Sequence, residues 1–241
     1  MLAPWGTILA YAPAFLTALW LTAAMSALAF GFAFVLGVLG ALARRSGMRA
    51  LRFVATVYVE AIRNTPVLLQ LFMIYFALPE IGIRLGAFEA GVAALAVNAG
   101  AYLTEIVRAG LQSVPKGQLE AARSIGLGPR DVFRSVVFPQ ALRSVYPPVI
   151  NQFIQVILGS SLVSQIALPE LTNTAQTINS HTLLTMHVFT IALVLYLLLS
   201  NVTALLADVV ARRAFKPPLY PIGPRRRLAL FGRIGQILRG G

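Results

Sequence analysis

Few side chains in this 241-residue sequence have the type and spacing that chemistry needs. A phosphate-cradling loop requires G-x-x-x-x-G-K-[ST], with lysine directly after glycine. Lys116 follows Pro115 and Lys216 follows Phe215, and there is no other lysine, so no such loop can form. His181 and His187 lack the H-E-x-x-H spacing of a helical zinc site, and no nucleophile elbow of the form G-x-S-x-G occurs. The absence of cysteine removes disulfides, thiol catalysis and cysteine-ligated metals. The residues therefore point away from an enzyme and away from a metal site.

What remains is a set of polar side chains inside apolar stretches, where ionisable groups are costly and usually face inward. Glu60 and Arg63 stand three residues apart, neighbours on one helical face that could form an intramembrane ion pair. Thr65-Pro66 follows, a kink whose freed carbonyls the threonine or another helix could satisfy, and Gln70 lies further along. Asn98, Tyr102 and Glu105 recur at i, i+4 and i+7, a single stripe. Asn151, Gln155 and Gln165 share a face near Ser160, Ser161 and Ser164. Singly, each residue reads first as an interhelical hydrogen bond worth about 0.6 kcal/mol. Together they favour a lined passage for a zwitterionic solute, whose carboxylate and ammonium need one cationic and one anionic or carbonyl partner. Glu60, Arg63, Gln70, Asn98, Tyr102, Glu105 and Gln155 are the candidates.

The elements that position these groups are membrane helices. Hydrophobic residues make up 58% of the chain and charged residues only 12%, with a mean hydropathy of +0.77, against about 25% charged in soluble domains. Five stretches have the roughly 20 apolar residues a span needs: Ala14–Leu42, Phe53–Leu78, Phe88–Val107, Pro147–Leu168 and Leu184–Val210. The expected fold is thus an all-α membrane protein of about five transmembrane helices. Small residues such as Gly31, Gly37 and Gly40 in the first span and Gly91, Ala94, Ala99 and Gly100 in the third suit close helix packing in lipid.

The net charge of +12 would suit nucleic acid, but the arginines fall between spans rather than on one soluble face. Eighteen of the twenty basic residues flank the spans on one side, at 44–52, 108–143 and 212–239, leaving Arg84 opposite and Arg63 inside the second span. The positive-inside rule puts that side in the cytoplasm, with the N-terminus outside and the C-terminus inside. The N-terminus lacks the basic region of a cleavable signal, so the first span is expected to be retained. Residues 1–215 form the expected transmembrane domain and 216–241 a basic tail. In that tail Leu230, Phe231, Ile234, Ile237 and Leu238 would fall near one face of an interfacial helix, a disordered tail being the other reading.

The connection between the third and fourth spans is longer than such links require. Glu120-Ala121-Ala122 opens a helix that Gly126-Leu127-Gly128-Pro129 ends, glycine giving the left-handed cap and proline the stop. Asp131 fits an N-terminal position of a second short helix lined by Val132, Phe133, Val136 and Val137. Pro139 and Pro147-Pro148 are expected to close it. Two short helices at an angle, with an apolar ridge ringed by charge, suit a groove on another protein.

Glu120-Ala121-Ala122, three residues, Gly126, nine residues, then Val136, Phe138 and Pro139 resemble the EAA-x3-G-x9-I-x-L-P signature of ABC-importer permease subunits, with valine for isoleucine and phenylalanine for leucine. YVEAIRNTPVLLQLFMIYFALP at 58–79 resembles the E-x-x-R-x-T-P-x-x-x-Q segment of the polar amino-acid uptake branch, and AYLTEIVRAGLQSVPKGQLEAA at 101–122 its approach to the signature. The resemblance covers roughly residues 14–215. It implies an inner-membrane permease whose segment 116–143 is the coupling helix. Glu120, Ala121, Ala122, Gly126, Asp131, Val136, Phe138 and Pro139 would then meet a homodimer of ABC ATPase subunits. It further implies a second permease copy or paralogue, a periplasmic or lipid-anchored solute-binding protein and an amino-acid substrate, with membrane lipid around the chain and no nucleic acid. No cofactor is implied on this chain, ATP and Mg belonging to the ATPase. The rival from another class is an ATP-independent secondary transporter or channel, which would need no ATPase and would carry an internal repeat; none that convinces is found.

Overall fold

A computed structural model of the chain describes residues 3–215 and residue 219, and the tail expected at 216–241, with its apolar face, lies otherwise outside the described residues. A short helix α1 (Ala3–Leu9) leads into α2 (Ala12–Arg44), and α3 (Arg49–Arg63) and α4 (Val67–Phe72) follow. A wider π turn and a tighter 3-10 turn extend α4 to Ile81. Then come α5 (Ala87–Gln112), α6 (Lys116–Ser124), α7 (Pro129–Val132), α8 (Phe138–Gly159), α9 (Leu171–Thr182) and α10 (Thr185–Ala214). In hydrocarbon every backbone group must be satisfied within the chain, and helices do this residue by residue. Among the described residues four helices are long and apolar enough to cross a membrane, five if the bent pair of α3 and the Val67–Ile81 segment counts as one. The chain divides into one compact unit reaching to Leu205 and a second from Leu206, whose described part is the last turns of α10 with Arg212 and Arg213.

The first core cluster is built on α2 and α5, which lie side by side in the same direction. Gly37 meets Leu103, and Gly91 meets Met25 and Val163, so the two backbones approach where side chains are missing. Around them Ala29, Ala33, Ala94, Leu95 and Ala99 are buried together with Val156 and Val163 from the α8 side. A Cβ placed on Gly37 would stand 2.5 Å from Leu103 Cβ, whereas one on Gly31 would meet nothing within 4 Å. Gly37→Ile should therefore cost roughly 2 kcal/mol by overpacking, read as a lower melting temperature of the detergent-solubilised protein. Gly31→Ile should leave it unchanged.

Three expectations about the elements need correction. The second span is not one helix: α3 and the Val67–Ile81 segment meet at 108° across Asn64–Pro66. The kink expected at Thr65-Pro66 is a full break. The helix of the long connection starts at Lys116, after Pro115, rather than at Glu120, which falls in its second turn. Pro139 and Pro147-Pro148 end nothing: one run of helical turns extends from Pro129 to Ile166 and contains all three.

The prolines are carried for local reasons. Across Phe133–Val137 the ladder widens, the Phe138 N–H bonding back to the Phe133 carbonyl, just before Pro139. The Gln140 side chain then donates to the Val136 carbonyl at 3.0 Å. Proline's fixed φ is itself helical, and burial of Ala141 and Val149, with Val145 against Gly110 of α5, holds the helix on either side of Pro147-Pro148. Packing outweighs propensity here.

One element was not foreseen. α9, LTNTAQTINSHT, has no apolar run and reads as a loop. It is nonetheless helical, because Leu171, Ala175 and Ile178 lie on one side and pack with Ile8, Phe15, Ala18, Val188 and Ala192 in a second cluster.

Candidate coupling segment and polar passage

The turn that ends α6 is set by two backbone bonds. Gly126 has φ +85°, and its N–H donates to the Arg123 carbonyl at 2.9 Å while the Leu127 N–H reaches the Ala122 carbonyl at 3.2 Å. This crossed pair is the Schellman arrangement, which needs a left-handed residue at its centre. Asp131 then stands in the first turn of α7, as its residue type suggests.

α6 is held against the following helix from both ends. Ala122 and Val132 are buried, and Gln118 and Gln140 join across the gap at 2.7 Å. Glu120, Ala121, Asp131, Phe138 and Pro139 are exposed, and Val136 is half-buried. Exposed apolar side chains crown the segment: Ile125 at 78%, then Phe133 and Phe138, whose rings lie 6.2 Å apart. Ile125 and the glutamine pair escaped the sequence reading. An apolar residue in a turn carries no periodic signal, and a contact between residues 22 apart in sequence is visible only in the fold.

The polar stripes of α4 and α5 do come together. Gln70 sits beside the break and its amide fills it. Its Nε2 donates to the Ile62 carbonyl at 2.8 Å, to the Thr65 carbonyl at 3.1 Å and to Thr65 Oγ1 at 2.9 Å. Its Oε1 accepts from Asn98 Nδ2 of α5 at 3.1 Å. Thr65 Oγ1 and Asn64 Nδ2 serve the carbonyls of Ala61 and Glu60, each at 2.8 Å. A broken helix survives in a membrane only when freed carbonyls find such partners. Gln70→Ala leaves the Ile62 and Thr65 carbonyls and the Asn98 amide short of a partner, at about 1–3 kcal/mol. The expected result is a melting temperature several degrees lower and slower transport; Asn98→Ala should cost less, because it strips only one of those bonds.

Glu105 is the centre of charge. Arg44, the last residue of α2, pairs with its Oε1, and Arg108 pairs with its Oε2 at 2.6 Å and with both oxygens through Nε. Arg108 Nη1 continues to Gln112 at 2.9 Å. The Arg63 guanidinium lies 5.2 Å from the centre of the Tyr102 ring, one turn before Glu105. The pair expected between Glu60 and Arg63 does not form: among the described residues both ion pairs use Glu105. Arg63 is the final residue of α3, where the chain turns toward α5, while Glu60 Oε2 faces Asn64 at 3.3 Å. Glu60, Arg63 and Gln155 are exposed, and no hydrogen bond or ion pair among the described residues joins Gln155 to the α4–α5 group. Arg44 and Arg108, placed by composition among loop charges, belong to this cluster instead.

Residues 33–216 match the family of binding-protein-dependent transport system inner membrane components. The chain is 42% identical over 193 residues to the L-cystine transport system permease protein TcyB of Bacillus subtilis, covering 80% of this chain and 82% of that one. It is 41% identical over 175 residues to the probable glutamine ABC transporter permease protein GlnM of the same organism, covering 73% and 81%. The fold is similar to a chain in the crystal structure of an amino acid ABC transporter with histidines, with a TM-score of 0.81 and 37% identity over 86% of this chain and 97% of that one. Helical spans, the signature with its left-handed glycine and these similarities agree: the chain belongs to the family of inner-membrane permease components of binding-protein-dependent ABC transport systems, and is a multi-pass membrane protein.

Proposed function

We propose that this permease carries a polar amino acid inward by alternating access, with its N-terminus outside and its C-terminus in the cytoplasm. The coupling segment around Glu120–Pro139 docks into ABC ATPase subunits, which supply ATP and Mg. A solute-binding protein delivers substrate outside, and a second permease copy or paralogue completes the passage, since five spans are too few to enclose one. Relatives named for cystine and glutamine transport support the amino-acid class.

The observation that carries this reading is mechanical. The exposed ridge at Ile125 and Phe133 stands at the base of a run of helical turns that continues from Pro129 to Ile166, to which the Gln118–Gln140 bond ties α6. At 1.5 Å per residue that run is about 57 Å long, enough to carry displacement of its cytoplasmic tip beyond mid-membrane. Exposed Glu60, Arg63 and Gln155 suit a wet passage rather than lipid. Arg63 offers the cation for a substrate carboxylate; Gln70, bonded to the break, and Asn98, bonded to Gln70, hold the lining in shape.

The test is a reconstituted complex of this chain, its ATPase and its binding protein, with ATP hydrolysis measured against a panel of amino acids. Stimulation by one polar amino acid, only with loaded binding protein present, is the expected result. Hydrolysis indifferent to every amino acid would refute it.

A further inference from the structure

α3 is fastened to the rest of the chain along a narrow line. Ala55 and Val59 are its buried residues, and Tyr58 adds one bond, its hydroxyl donating to the Val97 carbonyl of α5 at 2.7 Å. Beside that line, between α2 and α3, lies an open hollow of about 690 Å³. That volume falls within the roughly 300–1,000 Å³ of sites that take a single ligand. Gly40, Ala43 and Ala55 leave room at its floor, and the exposed side chains of Leu39, Leu51 and Val54 rise around it. A bare gap between membrane helices forfeits the van der Waals contact that holds such helices together, so an apolar occupant is favoured.

The length of the hollow and its two ends select the occupant. Leu36, at the upper end, lies about 12 Å along α2 from Arg44 at 1.5 Å per residue. That is close to half of a hydrocarbon layer roughly 30 Å thick. Tyr58 closes the same end against Val97, near the middle of α5. A partner's helix would have to run past this level to cross the membrane, whereas an acyl chain of one leaflet ends there. Ser46 and Leu51 mark the lower end, and Arg45, Arg49 and Arg52 stand within two residues of them in the chain. All three are exposed, and none takes part in an ion pair among the described residues. The chain has no acidic residue before Glu60, and Glu105 is already engaged by Arg44 and Arg108. An apolar slot with a basic rim, on the side where positive charge gathers, matches the tail and phosphate of an anionic lipid.

We propose that the hollow between α2 and α3 binds one anionic phospholipid of the cytoplasmic leaflet, an acyl chain in the slot and its phosphate on Arg45, Arg49 and Arg52. The bound chain completes the packing of α3, the helix that ends in Arg63, against α2. The choice of leaflet rests on the orientation proposed above; the site itself does not.

The full chain, purified in detergent and stripped of lipid, is titrated with phosphatidylglycerol or with phosphatidylcholine of the same acyl chains. A lipid that binds the folded chain raises its melting temperature, and the concentration giving half the maximal rise reports affinity. Phosphatidylglycerol should bind at least about tenfold more tightly than phosphatidylcholine. Arg45→Gln, Arg49→Gln and Arg52→Gln together should erase that preference, while Arg123→Gln with Arg130→Gln, on the coupling segment, should leave it within about twofold. Ala43→Phe fills the slot and keeps every charge, so both lipids should weaken by at least about tenfold. Leu51→Asn, on an exposed wall, adds no bulk and should act in the same direction, so the test does not depend on Ala43→Phe folding. Equal affinity for the two lipids in the parent would overturn the site, as would phosphatidylglycerol binding untouched by Ala43→Phe and Leu51→Asn. Glycerol phosphate supplies the headgroup without the tail, and a rise in melting temperature equal to the lipid's would overturn the lipid as occupant. Because the chain has no cysteine, Ser46→Cys reports its own side of the membrane. Its labelling from outside right-side-out vesicles by an impermeant thiol reagent would overturn the leaflet and the proposed orientation together, leaving the affinities to judge the site.

Discussion

Gly126→Val is expected to abolish coupling while sparing the fold. A Cβ at Gly126 would meet nothing within 4 Å, so the substitution brings no clash. What it disturbs is the backbone, since φ is +85° there and a branched side chain in the left-handed region costs about 1–2 kcal/mol or more. Escape to negative φ breaks the bonds from Gly126 to Arg123 and from Leu127 to Ala122, and changes the angle between α6 and the helical run that starts at Pro129. Amino-acid-stimulated ATP hydrolysis should fall by at least about tenfold, equivalent to 1.4 kcal/mol in the docked geometry. Membrane insertion should match that of the parent, and the melting temperature should fall by no more than the few degrees that this local strain costs. Gly117→Ala is the matched control: Gly117 lies inside α6, faces open space and has no left-handed φ, so alanine should stabilise the helix by up to about 1 kcal/mol without loss of coupling. Full coupling in Gly126→Val would remove the turn from the mechanism.

Glu105→Gln should be the most destabilising single change in the polar cluster. The glutamine keeps the shape but leaves Arg44 and Arg108 facing each other without an anion. Breaking a fully buried pair costs about 3–5 kcal/mol. The Glu105 side chain is 19% exposed and Arg108 31%, so solvent screening reduces this to about 2 kcal/mol. Thermal melting in detergent should drop by about 4 °C, given the entropy of unfolding of a domain this size. Arg44→Gln added to Glu105→Gln should restore part of the loss, because it removes one of the stranded cations; a double-mutant cycle then gives the coupling energy. A Glu105→Gln protein as stable as the parent, with no coupling to Arg44, would show that the cluster holds nothing together.

The spans were legible because a run of about 20 apolar residues matches the hydrocarbon thickness of a bilayer and exceeds what a soluble core helix needs. The left-handed Gly126 was legible because local backbone geometry is written in residue type. Helix ends were less so. Proline reads as a stop, yet Pro139, Pro147 and Pro148 lie within one helical run, because Gln140 repairs the ladder and burial against α5 holds the rest. Partners across the fold were illegible. Glu60 and Arg63 satisfy the rule for neighbours on a helix, but the break at Asn64–Pro66 sends Arg63 toward Tyr102. Glu105 was picked out by its stripe, while Arg44, 61 residues away in sequence, carried no mark of pairing with it. α9 was missed for the same reason: a polar dodecamer shows its burial only once α2 and α10 stand beside it.

The central claim is that this permease moves solute only when a separate ATPase drives it. It is tested most directly by uptake of a radiolabelled polar amino acid into proteoliposomes holding this chain, its ATPase and the binding protein. Accumulation against a gradient that requires ATP, and that stops in Gly126→Val vesicles, is the expected result. Equal flux with and without ATP, running only down the gradient, would contradict it and point to a channel or secondary transporter.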